Sequence, residues 1–150
     1  MLRWLLASFH LLALGIGMGA VFARGRALRT VAEPRGVARV LWADSAWGIA
    51  ALLWISTGLL RAFGPFEKGS AYYLHNHFFY LKMTCFAAIL LLEIAPMRAF
   101  LQWRDRLKRG EPIDTSAAVR YARLSGWQAA LLGVMVFAAA AMARGMGVGR

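Results

Sequence analysis

Four apolar segments divide this sequence, and each is about as long as a membrane-spanning helix. A helix needs about 20 mostly apolar residues to cross the hydrocarbon core of a bilayer. The segments run from about residues 2 to 23, 40 to 63, 76 to 96 and 117 to 143. Hydrophobic residues make up 60% of the chain, whereas a soluble domain usually has about 45–50%. The sequence therefore predicts an all-α, single-domain bundle of four transmembrane helices in a lipid bilayer.

The positions of the prolines support this division, because proline is disfavoured inside helices. Pro34, Pro65 and Pro112 lie in the connections, and Pro96 is predicted to close the third helix. Residues 114–116 have the sequence Asp-Thr-Ser, which offers N-cap candidates for the fourth helix. Together these residues predict where the helices begin and end.

Basic residues are concentrated in two of the connections, and the formal net charge is +11. Residues 24–39 contain five arginines, and residues 98–123 contain seven basic residues. Cytoplasmic loops carry such an excess, so both stretches are predicted to face the cytoplasm of a bacterial inner membrane. Both termini and the 64–75 loop should then be periplasmic. Four tryptophans are predicted to lie at the membrane interfaces as anchors: Trp4, Trp42, Trp103 and Trp127.

Several functional classes have no support in the sequence. It contains no nucleophile–base pair, phosphate loop, zinc motif or nucleic-acid recognition motif, so neither hydrolysis nor nucleic-acid binding is predicted. A single cysteine, Cys85, excludes an internal disulfide. A cleaved signal peptide ending near Ala23 is an alternative for the first segment, but His10 and the arginines that follow argue against it.

Two ionisable residues inside the apolar segments mark the candidate site. His10 in the first helix and Lys82 in the third both lie ~9–12 Å from the outer helix ends, so they can face each other at one level. A lysine at this depth costs several kcal/mol unless it finds a partner, a cavity or a ligand. Two alternatives remain: His10 as a hydrogen bond between helices, and Lys82 reaching outward to the headgroups.

The leading hypothesis is a redox protein with a haem or porphyrin site between the first and third helices. A haem iron in a bundle needs an axial histidine and apolar walls, which His10, Phe79 and Phe86 could supply. Lys82 is the candidate catalytic residue. Three cations are candidates to bind the carboxylates of a porphyrin: Arg61, Lys82 and Arg144.

Two acidic residues lie nearer the inner ends of the helices. Glu93 is on the same helical stripe as Lys82, ~16 Å away, which excludes an ion pair between them. Asp44 should share the depth of Glu93. Either carboxylate could pair with Arg24 or Arg39, or Glu93 could stay protonated in apolar surroundings.

A second hypothesis is a non-enzymatic assembly or interaction subunit, whose buried polar groups only fix the helix register. Gly15 and Gly19 have the spacing that lets membrane helices approach closely. Packing within the bundle is the favoured interpretation of this pair. A homo-oligomer or a membrane partner protein is the alternative.

A third hypothesis is copper or proton handling. Histidines and methionines could form an outer site for a soft metal: His75, His77, Met83, Met142 and Met146. A proton path through Lys82 and Glu93 is a variant of this hypothesis.

The first and third helices also resemble short pieces of the HemJ-type protoporphyrinogen oxidases. The resemblance is carried by His10 with the glycines that follow it, and by Lys82 with the aromatic residues before it. That family is similar in size, is helical, binds haem b, and uses a histidine on its first helix and a lysine on a later one. The resemblance implies these roles for His10 and Lys82.

A broader resemblance covers most of the chain. It is carried by a series of short motifs: residues 44–48, 58–61, 68–69, 72–73, 78–82 and Pro96. This series is similar to a family of small four-helix bacterial membrane proteins that has no assigned function. The resemblance implies the fold and the membrane location, and no particular chemistry.

Overall fold

The computed structural model describes residues 2–64 and 74–147, and four α-helices make up most of this part of the chain. They are α1 (Leu2–Arg29), α2 (Gly36–Phe63), α3 (His77–Arg109) and α4 (Ala118–Ala143). All four are long and apolar enough to cross a membrane, so the predicted four-helix transmembrane architecture is confirmed. Residues 65–73 of the predicted second connection, including Pro65, lie outside the described residues.

The helices run further than the apolar segments that predicted them. α1 continues to Arg29 and α2 begins at Gly36, since arginine and alanine favour helix whether or not the helix is in lipid. The prediction that Pro96 closes the third helix is wrong, because α3 continues through a buried Pro96 to Arg109. Membrane helices tolerate proline where neighbouring helices compensate for the lost backbone hydrogen bond.

α3 and α4 are joined by a short connection with its own local hydrogen bonds. Gly110, with a φ of 68°, ends α3 and donates its N–H to the carbonyl oxygens of Arg106 and Leu107. The predicted N-cap of α4 is wrong: Ala117 occupies that position without a side-chain hydrogen bond. Asp114 instead accepts the Ser116 N–H at 2.9 Å in a turn of its own. This bond holds the pKa of Asp114 below its usual value.

The helices form a ring in the order α1, α2, α3, α4. α1 packs along α2 and α4, and α3 packs along α4, whereas α2 and α3 make few contacts. We call the end with Leu2, Phe63, His77 and Ala143 the outer end, and the opposite end the inner end. The central core includes Ala13, Trp54 and Leu132. A second apolar cluster at the inner end is built around Leu28, Val40, Phe100 and Trp103.

Three of the four predicted tryptophan anchors lie on the surface of the bundle. Trp4, Trp42 and Trp127 are exposed, as a side chain in contact with lipid headgroups must be. The prediction is wrong for Trp103, which is buried in the inner cluster with its ring 5.3 Å from that of Phe100. The extension of α3 past Pro96 carries Trp103 onto the core face.

The close approach of α1 to α2 occurs at Gly17. A β-carbon there would lie 3.2 Å from the Trp47 ring and 3.5 Å from Ala50. At Gly15 and Gly19 it would meet nothing within 4 Å. The interpretation of Gly15 and Gly19 as packing residues within the bundle is therefore wrong, since both lie on the outward face of α1.

Arg35, which precedes α2, has a φ of 60° and a ψ of 14°, in the left-handed region. A residue with a β-carbon pays roughly 1–2 kcal/mol for this conformation, and glycine does not. We expect Arg35→Gly to raise the free energy of unfolding in detergent by about 1 kcal/mol. Thermal unfolding followed by circular dichroism measures it. Arg35→Ala keeps the β-carbon, so an equal gain in that control would contradict the conformational explanation.

Candidate functional site

A cavity of about 580 Å³ lies in the outer half of the bundle and is lined by residues from all four helices. Small-molecule sites in proteins usually have about 300–1,000 Å³. Five of the six predicted site residues line it: His10, Arg61, Phe79, Lys82 and Phe86. The sixth, Arg144, is not a lining residue. It lies exposed at the C-cap of α4, directly after the lining residue Ala143.

A hydrogen bond orients the His10 imidazole. Its Nδ1 lies 2.9 Å from the Thr57 hydroxyl oxygen. That hydroxyl donates its one proton to the backbone, with the Leu53 carbonyl oxygen 2.7 Å away. In the tautomer with its proton on Nδ1, the imidazole donates to the Thr57 hydroxyl oxygen. This tautomer leaves the Nε2 lone pair available to a ligand.

Trp54 lies between the two predicted key residues. Its indole stacks on His10 with ring centroids 5.5 Å apart, and the Lys82 ammonium nitrogen lies 5.9 Å from the centre of the same indole. The two residues thus meet at one level, although their roles stay predictions. Trp54 is buried, and its Nε1 has no hydrogen-bond partner among the described residues. A buried donor without an acceptor costs about 1–3 kcal/mol, which a ligand oxygen could offset.

The cavity is apolar and positively charged. Among the described residues that line it, Arg61 and Lys82 are the charged side chains, and none is a carboxylate. Met83, Met135 and Met142 contribute to the apolar wall. The chemistry of this lining suits an apolar ligand with anionic groups.

The histidines of the copper hypothesis lie elsewhere. His75 and His77 are exposed at the outer end and do not line the cavity. Among residues 2–64 and 74–147, no group of three or more histidine, cysteine or acidic side chains is placed to hold a metal ion. The outer soft-metal site stays a prediction without a cluster to support it.

A second polar cluster lies toward the inner end, around the fully buried Arg24. A guanidinium has five N–H donors, and the structure provides five acceptor contacts at 2.7–3.2 Å. The acceptors are Asp44, Ser125, Gln128 and both carboxylate oxygens of Glu93. We call Arg24, these four residues and Arg104 the Arg24 network.

The Arg24 network is balanced in charge and joins all four helices. Arg104 of α3 donates to the second oxygen of Asp44 at 2.8 Å. Gln128 donates to Glu93 at 2.6 Å. Two arginines thus face two carboxylates, so no net charge is buried. Nearly complete satisfaction of this kind makes a buried ionic cluster tolerable.

The predicted partners of the two carboxylates are confirmed in part. Asp44 and Glu93 both bind Arg24, as proposed, and lie at one depth. Arg39 instead binds Glu33 at 2.7 Å on the surface. The assignment of Arg24 to the connection between the first two helices is wrong, because α1 continues past it and its side chain is fully buried.

Residues 2–147 match the protein family described as "Predicted membrane protein (DUF2214)". The chain belongs to this family. The predicted membership in a small four-helix membrane family without assigned function is therefore confirmed. Comparison with curated proteins gave no match, and comparison with solved structures gave none either. The local resemblance to HemJ-type oxidases stays a prediction.

Three residues of the Arg24 network in this DUF2214 member were not predicted from the sequence: Ser125, Gln128 and Arg104. Ser125 and Gln128 are three residues apart and share one face of α4. Two polar residues at that spacing in an apolar helix indicate a polar partner on a neighbouring helix. Arg104 gave no such signal, because it stands among other basic residues beyond the predicted end of the third helix.

Proposed function

We propose that the outer cavity binds haem b or a related porphyrin, and that the protein is a haem- or porphyrin-linked redox protein. The observation that carries this proposal is the orientation of His10: Thr57 accepts from Nδ1 and leaves Nε2 for a ligand in a large apolar cavity. Histidines that bind metals usually donate their other ring N–H in this way.

The other lining residues suit the remaining parts of a porphyrin. Lys82 and Arg61 offer cations for its carboxylates. Phe79 and Phe86 supply apolar walls, and Phe86 packs edge-on to Trp54 with ring centroids 6.0 Å apart. A bound haem supplies one-electron redox chemistry, which the protein tunes through the axial ligand and the polarity around it. Lys82 can hold a proton at Nζ close to such a ligand.

The proposed location is the bacterial inner membrane, with both termini in the periplasm. Arg24 and Arg104 belong to the buried network and no longer count as loop charges. The inner end still carries surface basic residues: Arg26, Arg29, Arg35, Arg39, Arg98, Arg106, Lys108, Arg109, Arg120 and Arg123. This excess supports a cytoplasmic inner end, and with that orientation the cavity would lie in the periplasmic half of the membrane.

The test is the absorption spectrum of the detergent-purified protein, oxidised and dithionite-reduced, after expression with added haem. We expect a Soret band in the wild type that falls by about tenfold or more in His10→Ala, since His10 would be the residue that holds the haem iron. His77→Ala is the matched control, because His77 is exposed outside the cavity. It should keep the band.

Thr57→Val refines the test by removing the hydroxyl that accepts from His10. We expect this variant to bind haem about 10–100-fold more weakly, the usual cost of losing a partner of a metal ligand. A wild type that stays without a Soret band, or a His10→Ala variant with an unchanged spectrum, would rule out the proposed site.

A non-enzymatic assembly subunit is the second candidate function. The Arg24 network favours it, because polar side chains there cross-link all four helices without lining the outer cavity. A colourless wild type that keeps its fold after His10→Ala would support this candidate over the first. Co-purification of a membrane partner would then be the next measurement.

A further inference from the structure

We propose that a groove between α1 and α4 at the inner end binds an anionic phospholipid, with the phosphate held by Arg26 and Arg29. This groove has a volume of about 430 Å³. It lies at the opposite end of the bundle from the haem cavity and shares no lining residue with it. The proposal is therefore independent of the proposed function.

The groove has a tight floor and an open mouth. At the floor, a β-carbon on Gly25 would lie 3.4 Å from the Ser125 β-carbon, so the two helices are nearly in contact. At Gly126 it would meet nothing within 4 Å, so the absence of a side chain leaves open space there. Val21, Phe22 and Ala122 line the rest. A narrow apolar channel of this kind suits an acyl chain.

Cations line the inner part of the same groove. Arg26 and Arg29 are exposed lining residues, and neither has an ion pair or side-chain hydrogen bond to any described residue. Three carboxylates of the inner half pair with other arginines. Glu33 binds Arg39, and Asp44 and Glu93 bind the Arg24 network. The two guanidinium groups thus present a positive charge that no carboxylate among the described residues pairs with.

The position of the groove favours a lipid over a soluble anion. The apolar part of α1 ends just before Arg24, so Arg26 and Arg29 lie where a helix leaves the hydrocarbon core. Phe22 lines the groove and is 62% exposed. Trp127, which follows the lining residue Gly126 in the chain, is 66% exposed, as aromatic residues at a membrane interface are. Basic pockets between transmembrane helices are a known way to bind anionic headgroups. A phospholipid has both an acyl chain for the apolar channel and a phosphate for the cationic end.

Native mass spectrometry of the full chain in detergent tests the proposal with phosphatidylglycerol and phosphatidylcholine of identical acyl chains. Two arginines near a membrane surface predict that the wild type retains phosphatidylglycerol about 10–30-fold better. We expect Arg26→Gln/Arg29→Gln to lower this preference to about threefold or less. Arg98→Gln/Lys108→Gln removes the same charge from α3 and should keep it.

A steric variant separates the groove from general electrostatics. Gly126 lines the groove, and a β-carbon there would meet nothing within 4 Å. Gly126→Leu should therefore fold normally and still lower phosphatidylglycerol retention by about fivefold or more, since its side chain fills the channel. Gly48→Leu on α2 also enters open space and should leave retention unchanged.

Three results of these lipid comparisons would overturn the proposal. They are equal retention of the two lipids by the wild type, an unchanged preference in both groove variants, or loss of the preference in the Arg98/Lys108 control. Displacement of phosphatidylglycerol by millimolar inorganic phosphate would also overturn it, because the site would then recognise a free anion without the acyl chain.

Discussion

Replacing Arg24 with methionine should lower the free energy of unfolding by about 3–5 kcal/mol, the usual cost of removing one partner of a buried ion pair. The substitution keeps a long side chain but leaves Glu93, Ser125 and Gln128 without their guanidinium donor. Glu93, which is only partly exposed, would become a carboxylate without a cation. Denaturant or thermal unfolding in detergent, followed by circular dichroism, measures the loss.

A second substitution identifies the cause of this loss. In Arg24→Met/Glu93→Gln the remaining charges are Asp44 and Arg104, which still pair at 2.8 Å. We therefore expect the double variant to recover at least about 1–2 kcal/mol of the loss, since no unpaired charge stays buried. Arg98→Met, at an exposed position on α3, should change stability by less than about 0.5 kcal/mol. If the double variant instead loses the sum of the two single-variant losses in free energy of unfolding, the charge-balance explanation is contradicted.

Gly36→Ala should destabilise the protein by about 3 kcal/mol, near the upper end for overpacking a tight site. A β-carbon at Gly36 would overlap the Val31 carbonyl group, whose carbon would lie only 2.6 Å away. The neighbour is backbone and cannot rotate aside. The turn between α1 and α2 would have to open, which strains the Gly36 N–H bond to the Glu33 carbonyl oxygen at 2.8 Å.

Gly48→Ala is the matched control on the same helix. A β-carbon there meets nothing within 4 Å, and alanine is favoured over glycine inside a helix by roughly 0.5–1 kcal/mol. This variant should therefore unfold at an equal or higher temperature than the wild type. Similar losses in the two alanine variants would show that the overlap with Val31 is not the cause at Gly36.

Much of the outer site could be predicted from local sequence. A histidine and a lysine inside apolar segments are rare, and equal distances from the helix ends place them at one level. The structure brings both to the Trp54 indole. Trp54 and Thr57 gave no comparable signal, because tryptophan and threonine are ordinary residues in a membrane helix. Their roles depend on the rotation of α2 relative to α1, which packing decides.

The apolar segments alone determined that this chain forms four transmembrane helices, because a backbone in lipid must satisfy its hydrogen bonds within each segment. The distribution of basic residues likewise determined the predicted orientation. The rule that cytoplasmic loops carry an excess of lysine and arginine depends on the sequence and not on tertiary contacts. The tertiary structure alone decided that Arg24 is a core residue. In the sequence it is one of several arginines after an apolar segment, whereas its acceptors come from three other helices. A buried charge is stable only where such partners converge, and convergence depends on the packing of all four helices.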